Sequence, residues 1–226
     1  MTKRSLSGSG KRGAAGAGKQ RRTAAQRRAR QHLGQFSGMW SQLTEEQRTA
    51  WRQRASETGR LVRDGQYYHL GGQQLFNKIN SVLALCGHQP LTEPPPQPRF
   101  GSNPVGALTI GRVGDGLALT LSVRGSPAED IMVFASPPYS AGRGYCRDYR
   151  FLGLLPAPVE QVSDITRLYI KKYGVPPTNT RVFIRAWQQV DGWECRGQMR
   201  LTNALVPANG GVAHGPRNSR ADGKKG

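Results

Sequence analysis

The chain has 226 residues, and its 33 Lys or Arg against 14 Asp or Glu give a formal net charge of +19. Such an excess predicts a polyanionic partner, a nucleic acid first and an anionic membrane surface second. No apolar run approaches the roughly 20 residues of a membrane span, and no apolar stretch follows the basic N-terminus as in a secretory signal. We therefore expect no membrane partner, although the acid-free N-terminus also has the composition of an organelle transit peptide.

The positive charge is concentrated at the N-terminus. Residues 1–34 contain ten Lys or Arg and no Asp or Glu. Residues 1–20 are mostly Gly, Ser, Ala and Lys, which predicts a disordered basic arm. Cations of this kind neutralise phosphates without reading base sequence. The candidate phosphate contacts are Lys11, Arg12, Lys19, Arg21, Arg22, Arg27, Arg28 and Arg30.

Residues 21–88 are predicted to form a small domain of three helices. The first helix is expected from about Arg22 to Trp40. The second begins after Thr44, which forms a capping-box pattern with Gln47, and is expected to run to about Thr58. The third lies within 71–87, where apolar residues recur at spacings of three and four. Arg48, Arg52 and Arg54 on the second helix are additional candidate nucleic-acid contacts.

Two of the four tryptophans, Trp40 and Trp51, flank the predicted start of the second helix. Thr44 favours two helices over one continuous helix, so both indoles are expected to close the angle between them. Leu43, directly before the cap, is expected to pack into the turn. The predicted partners of these side chains in a three-helix core are Leu75, Phe76 and Ile79.

The composition and the spacing of apolar residues change in the second half of the chain. Residues 89–104 are rich in proline, which predicts an extended linker and a domain boundary. Within 105–206 the period changes to two, and Gly-Asp-Gly at 114–116 and Asp191-Gly192 predict hairpin turns. The pattern predicts an all-β sandwich of roughly 100 residues, with 163–174 as either a short helix or a strand. Residues 207–226 are expected to be a disordered basic tail.

No combination of residues predicts catalytic or metal chemistry. The three cysteines, Cys86, Cys146 and Cys195, form no C-x-x-C pair, and the four histidines are scattered. Glycine-rich matches to nucleotide-binding loops within 8–20 lack the preceding strand that such loops need. No carboxylate pair or nucleophile motif is apparent. We therefore expect a protein that is not an enzyme, without a cofactor or a metal site.

Two stretches carry resemblances to known families. The segment "GMWSQLTEEQRTAWRQRASE" resembles the middle of an HMG-box, which implies helices that bind the DNA minor groove. The order of "WSQLTEEQRTAW", "GGQQLFNKIN", "VFASPPYSAGR" and "RVFIRAWQQVDG" resembles uncharacterised bacterial and prophage-associated proteins. The second resemblance implies a Trp-rich helical segment followed by an immunoglobulin- or fibronectin-like domain.

Together these observations predict an α+β fold in two parts. A three-helix N-terminal domain precedes an all-β, immunoglobulin- or fibronectin-like sandwich. The expected function is largely sequence-independent nucleic-acid binding, with DNA in preference to RNA, and the sandwich would contact a protein partner or its own copies. The alternative is a structural or assembly protein of a phage or prophage particle. The corresponding locations are the cytoplasm, at the nucleoid, or the virion.

Overall fold

The computed structural model of the chain describes residues 24–58, 61–63, 66–113, 116–208 and 211–215. Three helices come first, namely α1 (Ala24–Gln42), α2 (Glu45–Glu57) and α3 (Gly72–Cys86). A short antiparallel hairpin of β1 (Leu61–Arg63) and β2 (Gln66–Tyr68) lies between α2 and α3. The three predicted helices are confirmed, whereas the hairpin was not anticipated.

The start of α2 follows the predicted capping chemistry. Thr44 Oγ1 accepts a hydrogen bond from the Gln47 backbone N–H at 3.2 Å. In return, Gln47 Oε1 accepts from the Thr44 backbone N–H at 2.9 Å. These reciprocal bonds satisfy two donors that a helix start leaves without partners, and they confirm that α1 and α2 are separate helices.

The three helices share a buried apolar core, here called the helical cluster. Trp51 is fully buried, and its ring meets Phe76 edge to face at a centroid distance of 5.3 Å. Trp40 packs against the same Phe76 at 5.5 Å. The predicted structural role of both indoles is thus confirmed. The buried members of the helical cluster are Phe36, Leu43, Trp51, Ala55, Leu75, Phe76, Ile79, Leu83 and Trp193.

Antiparallel strands dominate the chain from residue 105 onward. In chain order they are β3 (Val105–Val113), β4 (Gly116–Val123), β5 (Asp130–Ala135), β6 (Tyr139–Ser140), β7 (Arg150–Leu154), β8 (Val162–Asp164), β9 (Thr180–Val190), β10 (Trp193–Glu194), β11 (Arg200–Leu205) and β12 (Val212–His214). The ambiguous segment before β9 is a helix, α4 (Thr166–Tyr173). The α+β fold with N-terminal helices and C-terminal sheets is therefore confirmed.

The strands form two sheets that share one apolar interior. The first has the order β12-β3-β4-β8. In the second, β9 lies centrally and pairs with β5, β6, β10 and β11, while β7 pairs with β5. Leu108 and Leu121 of the first sheet and Val133 and Ile184 of the second belong to one buried cluster. This packing of two antiparallel sheets is compatible with an immunoglobulin-like sandwich.

Two parts of the second half differ from expectation. The tail predicted to be disordered from residue 207 contains β12, in which Ala213 pairs with Ile110 of β3. Pairing β12 occupies an edge of β3 that would otherwise present unpaired backbone groups. The period-two pattern of "WECRGQMRLTNALV" at 193–206 predicts one strand, whereas the structure divides this stretch into β10 and β11 by a 3₁₀ turn at Arg196–Gln198. The tail beyond residue 215 and the arm before residue 24 lie outside the described residues.

The helices pack directly against the second sheet. Val82 of α3 is buried with Met132 of β5 and Trp187 of β9, and Trp193 of β10 belongs to the helical cluster. The turn between β9 and β10 lies so close to α3 that a Cβ added at Gly192 would be 2.6 Å from the Ile79 carbonyl oxygen. Apolar burial thus joins the two parts.

The proline-rich segment between α3 and β3 is held by specific hydrogen bonds. Trp51 Nε1 donates to the Thr92 carbonyl oxygen at 2.8 Å. The side chain of Asn80 exchanges two bonds with the Leu91 backbone, at 3.1 and 2.7 Å. Near its other end, Asn103 donates to the Ala186 carbonyl oxygen at 2.9 Å. The domain boundary at 89–104 stays a prediction, but this segment has fixed contacts on both sides of the junction.

Candidate nucleic-acid interface

The predicted arm contacts divide between undescribed residues and α1. Lys11, Arg12, Lys19, Arg21 and Arg22 precede the described residues. Arg27, Arg28 and Arg30 lie on α1, and the side chains of Arg27 and Arg30 are exposed. Residues three apart are neighbours on a helix surface, so the structure places Arg27 and Arg30 on one solvent-facing side of the helix.

The predicted contacts on α2 are engaged within the protein. Arg48 donates from Nη2 to the Ser41 carbonyl oxygen at 2.7 Å and from Nε to the Trp40 carbonyl oxygen at 3.2 Å. These bonds join the end of α1 to α2, because a helix leaves its last carbonyl groups without helical partners. Arg48 therefore has a structural role whatever else it contacts.

The other two α2 arginines also form ion pairs. Arg52 Nη1 lies 2.5 Å from Glu45 Oε1, and Arg54 Nη1 lies 2.7 Å from Glu57 Oε2. The Arg52 hydrogen bond and charge hold the pKa of the Glu45 carboxyl below its ordinary value. Exposed pairs of this kind contribute little to stability. Arg52 and Arg54 thus pair with carboxylates of their own helix, and within the described residues no hydrogen bond or ion pair joins them to Arg27 or Arg30.

A cleft of about 460 Å³ lies where α3 and the following loop meet β5 and β9. In it His88 Nε2 is 2.5 Å from Asp130 Oδ2, and Gln189 Nε2 donates to the same oxygen at 2.7 Å. Burial, followed by the charges of Asp130 and Glu194, raises the pKa of the nearby Cys86 thiol to about 12. The thiol is therefore protonated near neutral pH and is a poor nucleophile. All three cysteines are free.

A second concentration of basic residues was missed by the sequence analysis. The twelve residues 139–150, "YSAGRGYCRDYR", contain three Tyr, three Arg and one Asp. This interleaving of aromatic and basic residues is typical of nucleic-acid-binding surfaces and was available in the sequence. The N-terminal arm, by contrast, contains no aromatic residue.

The structure stacks these residues on one another and on β9. The Arg143 guanidinium carbon lies 4.0 Å from the Tyr139 ring centroid and 5.7 Å from that of Tyr145. The guanidinium of Arg147 lies 5.8 Å from the Tyr145 ring, and that of Arg185 on β9 lies 3.8 Å from the Tyr149 ring. We call these residues the tyrosine–arginine surface: Tyr139, Arg143, Tyr145, Arg147, Tyr149 and Arg185.

The loop that carries this surface is fastened to the second sheet. Arg181 of β9 donates from Nε to the Ala141 carbonyl oxygen at 2.9 Å and from Nη1 to Asn203 Oδ1 at 2.7 Å. Tyr139 pairs with Arg181 across β6 and β9. Burial also raises the pKa of the Tyr149 hydroxyl above its ordinary value. The Tyr149 hydroxyl is thus neutral near neutral pH and lies beside the Arg185 guanidinium.

Comparison with protein-family models, curated proteins and solved structures finds no match to this chain. The resemblances to the HMG-box and to prophage-associated proteins therefore stay predictions. Among the described helices, none is long and apolar enough to cross a membrane.

Proposed function

We propose that the protein is a non-enzymatic nucleic-acid-binding protein that binds DNA in preference to RNA, largely without sequence specificity. The observation that carries the proposal is the charge distribution: ten cations and no anion in residues 1–34 of a chain whose net charge is +19. Such a segment binds polyanions through counterion release, with an affinity that falls steeply as salt rises.

The arm and the start of α1 supply the main contacts in this proposal. Arg27 and Arg30 are exposed on α1, and within the described residues neither has an ion-pair partner. About half of the Arg52 side chain is exposed. Arg52 is therefore the α2 residue best placed to leave the Glu45 carboxylate and bind a phosphate instead. The sheets supply a protein-interaction module, because sheet edges can pair with another strand.

The test uses the full chain, because truncation at residue 35 would cut through α1 and disturb the buried Phe36. In the arm variant, Lys11, Arg12, Lys19, Arg21 and Arg22 are replaced by Gln. Duplex DNA binding is measured by fluorescence anisotropy over a range of salt concentrations. Each phosphate contact contributes about 0.9 to the slope of log K against log salt, so the arm variant, which removes five cations, should lose up to about 4.5 units of slope.

A matched control removes the same charge elsewhere. It replaces five exposed cations by Gln, and these cations are Arg99, Arg124, Arg167, Lys171 and Lys172. The control should keep nearly the parental slope. Equal losses in both variants would show that only net charge matters and would contradict a specific role for the arm. If the parental chain fails to bind duplex DNA at moderate salt, the proposal is wrong and the particle-assembly role replaces it.

A further inference from the structure

We infer that the tyrosine–arginine surface is a second nucleic-acid site, which binds single strands by stacking a base on Tyr145 while the neighbouring arginines hold the phosphates. The inference rests on the proposed function only in taking a nucleic acid as the partner. Its residues and its mode of binding differ from those of the basic arm. The basic arm contains no aromatic residue and cannot stack bases.

The exposure of Tyr145 is the first support. Its side chain is 63% exposed, whereas most other aromatic residues in the sheets are buried or half-buried. The Arg143 and Arg147 guanidinium groups lie 5.7 and 5.8 Å from its ring centroid. The ring is thus accessible to a ligand and has two guanidinium groups of its own loop within 6 Å. An aromatic side chain held in this way loses little conformational entropy when a base stacks on it.

The unused donors around Tyr145 are the second support. Arg143 uses Nε to bond the Tyr145 carbonyl oxygen at 2.9 Å, and within the described residues its two amino groups have no protein acceptor. Arg147 is exposed and, in the same part of the chain, has neither an ion pair nor a hydrogen bond. Guanidinium groups bind phosphates through paired N–H donors. Both arginines therefore retain free N–H donors that a phosphate can accept from.

The local charge favours a polyanion. The only acidic residue within 139–150 is Asp148, which lies 3.5 Å from the Arg150 Nε. Arg181 and Arg185 of β9 add two further positive charges beside the loop. A surface with this surplus attracts phosphates over distances of about 10 Å at moderate salt.

Stacking on Tyr145 selects a single strand over a duplex. In a duplex each base face is covered by the neighbouring base pairs, and proteins contact only base edges and phosphates. In a single strand the base faces are available to aromatic side chains, with little dependence on base identity. An acidic peptide would satisfy the arginines but has no planar group for the exposed ring, so a single-stranded nucleic acid uses more of this surface.

The experiment measures the binding of a labelled oligothymidylate of about 12 nucleotides, a length within the usual site sizes, and of a duplex of the same length. Full-length Tyr145→Ala and Tyr145→Phe are compared with the parental chain. Loss of one stacked base typically weakens binding by about 5- to 100-fold. We expect this loss for Tyr145→Ala with the single strand only, and a change within about twofold for Tyr145→Phe, which keeps the ring.

The arm variant separates this inference from the proposed function. Tyr145→Ala is also introduced into the arm variant. If it weakens single-strand binding there too, the tyrosine–arginine surface acts independently of the arm. This result would support the inference even if the arm proved not to bind duplex DNA. If Tyr145→Ala weakens duplex and single-strand binding equally, or weakens neither, the inference is wrong. Competition by polyglutamate as strong as by the oligonucleotide, and unchanged by Tyr145→Ala, would identify an anion or acidic-peptide site instead and overturn it.

A second measurement does not depend on affinity. An oligonucleotide carrying 5-iodouracil is photo-crosslinked to the parental chain, and the modified peptide is mapped by mass spectrometry. Stacking predicts a crosslink at Tyr145. Crosslinks confined to the arm or to α1 would contradict the inference. Circular dichroism of each variant confirms that the exposed substitution leaves the fold intact.

Discussion

Replacing Gly192 by alanine would place one methyl group where the turn between β9 and β10 touches α3. Gly192 has a φ of +83°, in the left-handed region that side chains disfavour. The added Cβ would lie 2.6 Å from the Ile79 carbonyl oxygen and 2.7 Å from Ile79 Cγ2. Both the backbone conformation and the packing of the turn on α3 therefore oppose the substitution.

Gly87, at the end of α3, offers a matched control. Its φ is +84°, and an added Cβ would meet nothing within 4 Å. Gly87→Ala thus incurs only the conformational cost, roughly 1–2 kcal/mol. Gly192→Ala adds the cost of overpacking, typically 1–3 kcal/mol, so its total should be about 2–5 kcal/mol.

Urea unfolding followed by tryptophan fluorescence and by circular dichroism would measure both free energies. We expect Gly192→Ala to lose about 1–3 kcal/mol more than Gly87→Ala, and the two probes to report one transition in the parental chain. Equal losses in the two variants would refute the argument that the turn packs tightly on α3. Separate transitions in the parental chain would show that the shared burial does not couple the two parts.

Two further predictions concern pH and thiol chemistry. Burial raises the pKa of Tyr173, whose hydroxyl donates to the Ala135 carbonyl oxygen at 2.8 Å, from 10.0 to about 12. Because the folded pKa is the higher one, this contribution to stability is complete below about pH 10 and is lost as the pH rises towards 12. Unfolding measured at several alkaline pH values should therefore show a steeper fall for the parental chain than for Tyr173→Phe, and equal falls would contradict the assignment. Burial raises the pKa of Cys86, so iodoacetamide near pH 8 should alkylate this thiol at least about a hundredfold more slowly in the native than in the unfolded chain. Peptide mass spectrometry measures both rates. A native rate close to the unfolded rate would count against burial of this thiol.

The helical part could be predicted from local sequence because its signals are local. The Thr44–Gln47 capping box and the three- and four-residue spacing in α3 each act within one or two turns. The hairpin of β1 and β2 also has a local signal, the dipeptide Asp64-Gly65 between two short runs, which favours a two-residue turn. It was missed because three-residue strands lack a readable alternation.

The sheet edges and the second basic surface could not be predicted in the same way. β12 forms only because β3, roughly a hundred residues earlier in the chain, presents a free edge to it. The tyrosine–arginine surface depends on Arg181 and Arg185, which β9 brings beneath a loop about forty residues away in sequence. Composition indicates that such a loop is unusual, but only the register of β6 with β9 shows what it contacts.

The position of Trp193 in the helical cluster has a consequence for how the protein is made. The last helical member of that cluster, Leu83, precedes Trp193 by 110 residues. At ribosomal rates of about 5–20 residues per second, Trp193 follows Leu83 by roughly 5 to 20 seconds. During that interval the nascent helices have their apolar faces only partly covered. The N-terminal half is thus synthesised first but completed late, and part of its apolar surface stays exposed to aggregation until β10 is made.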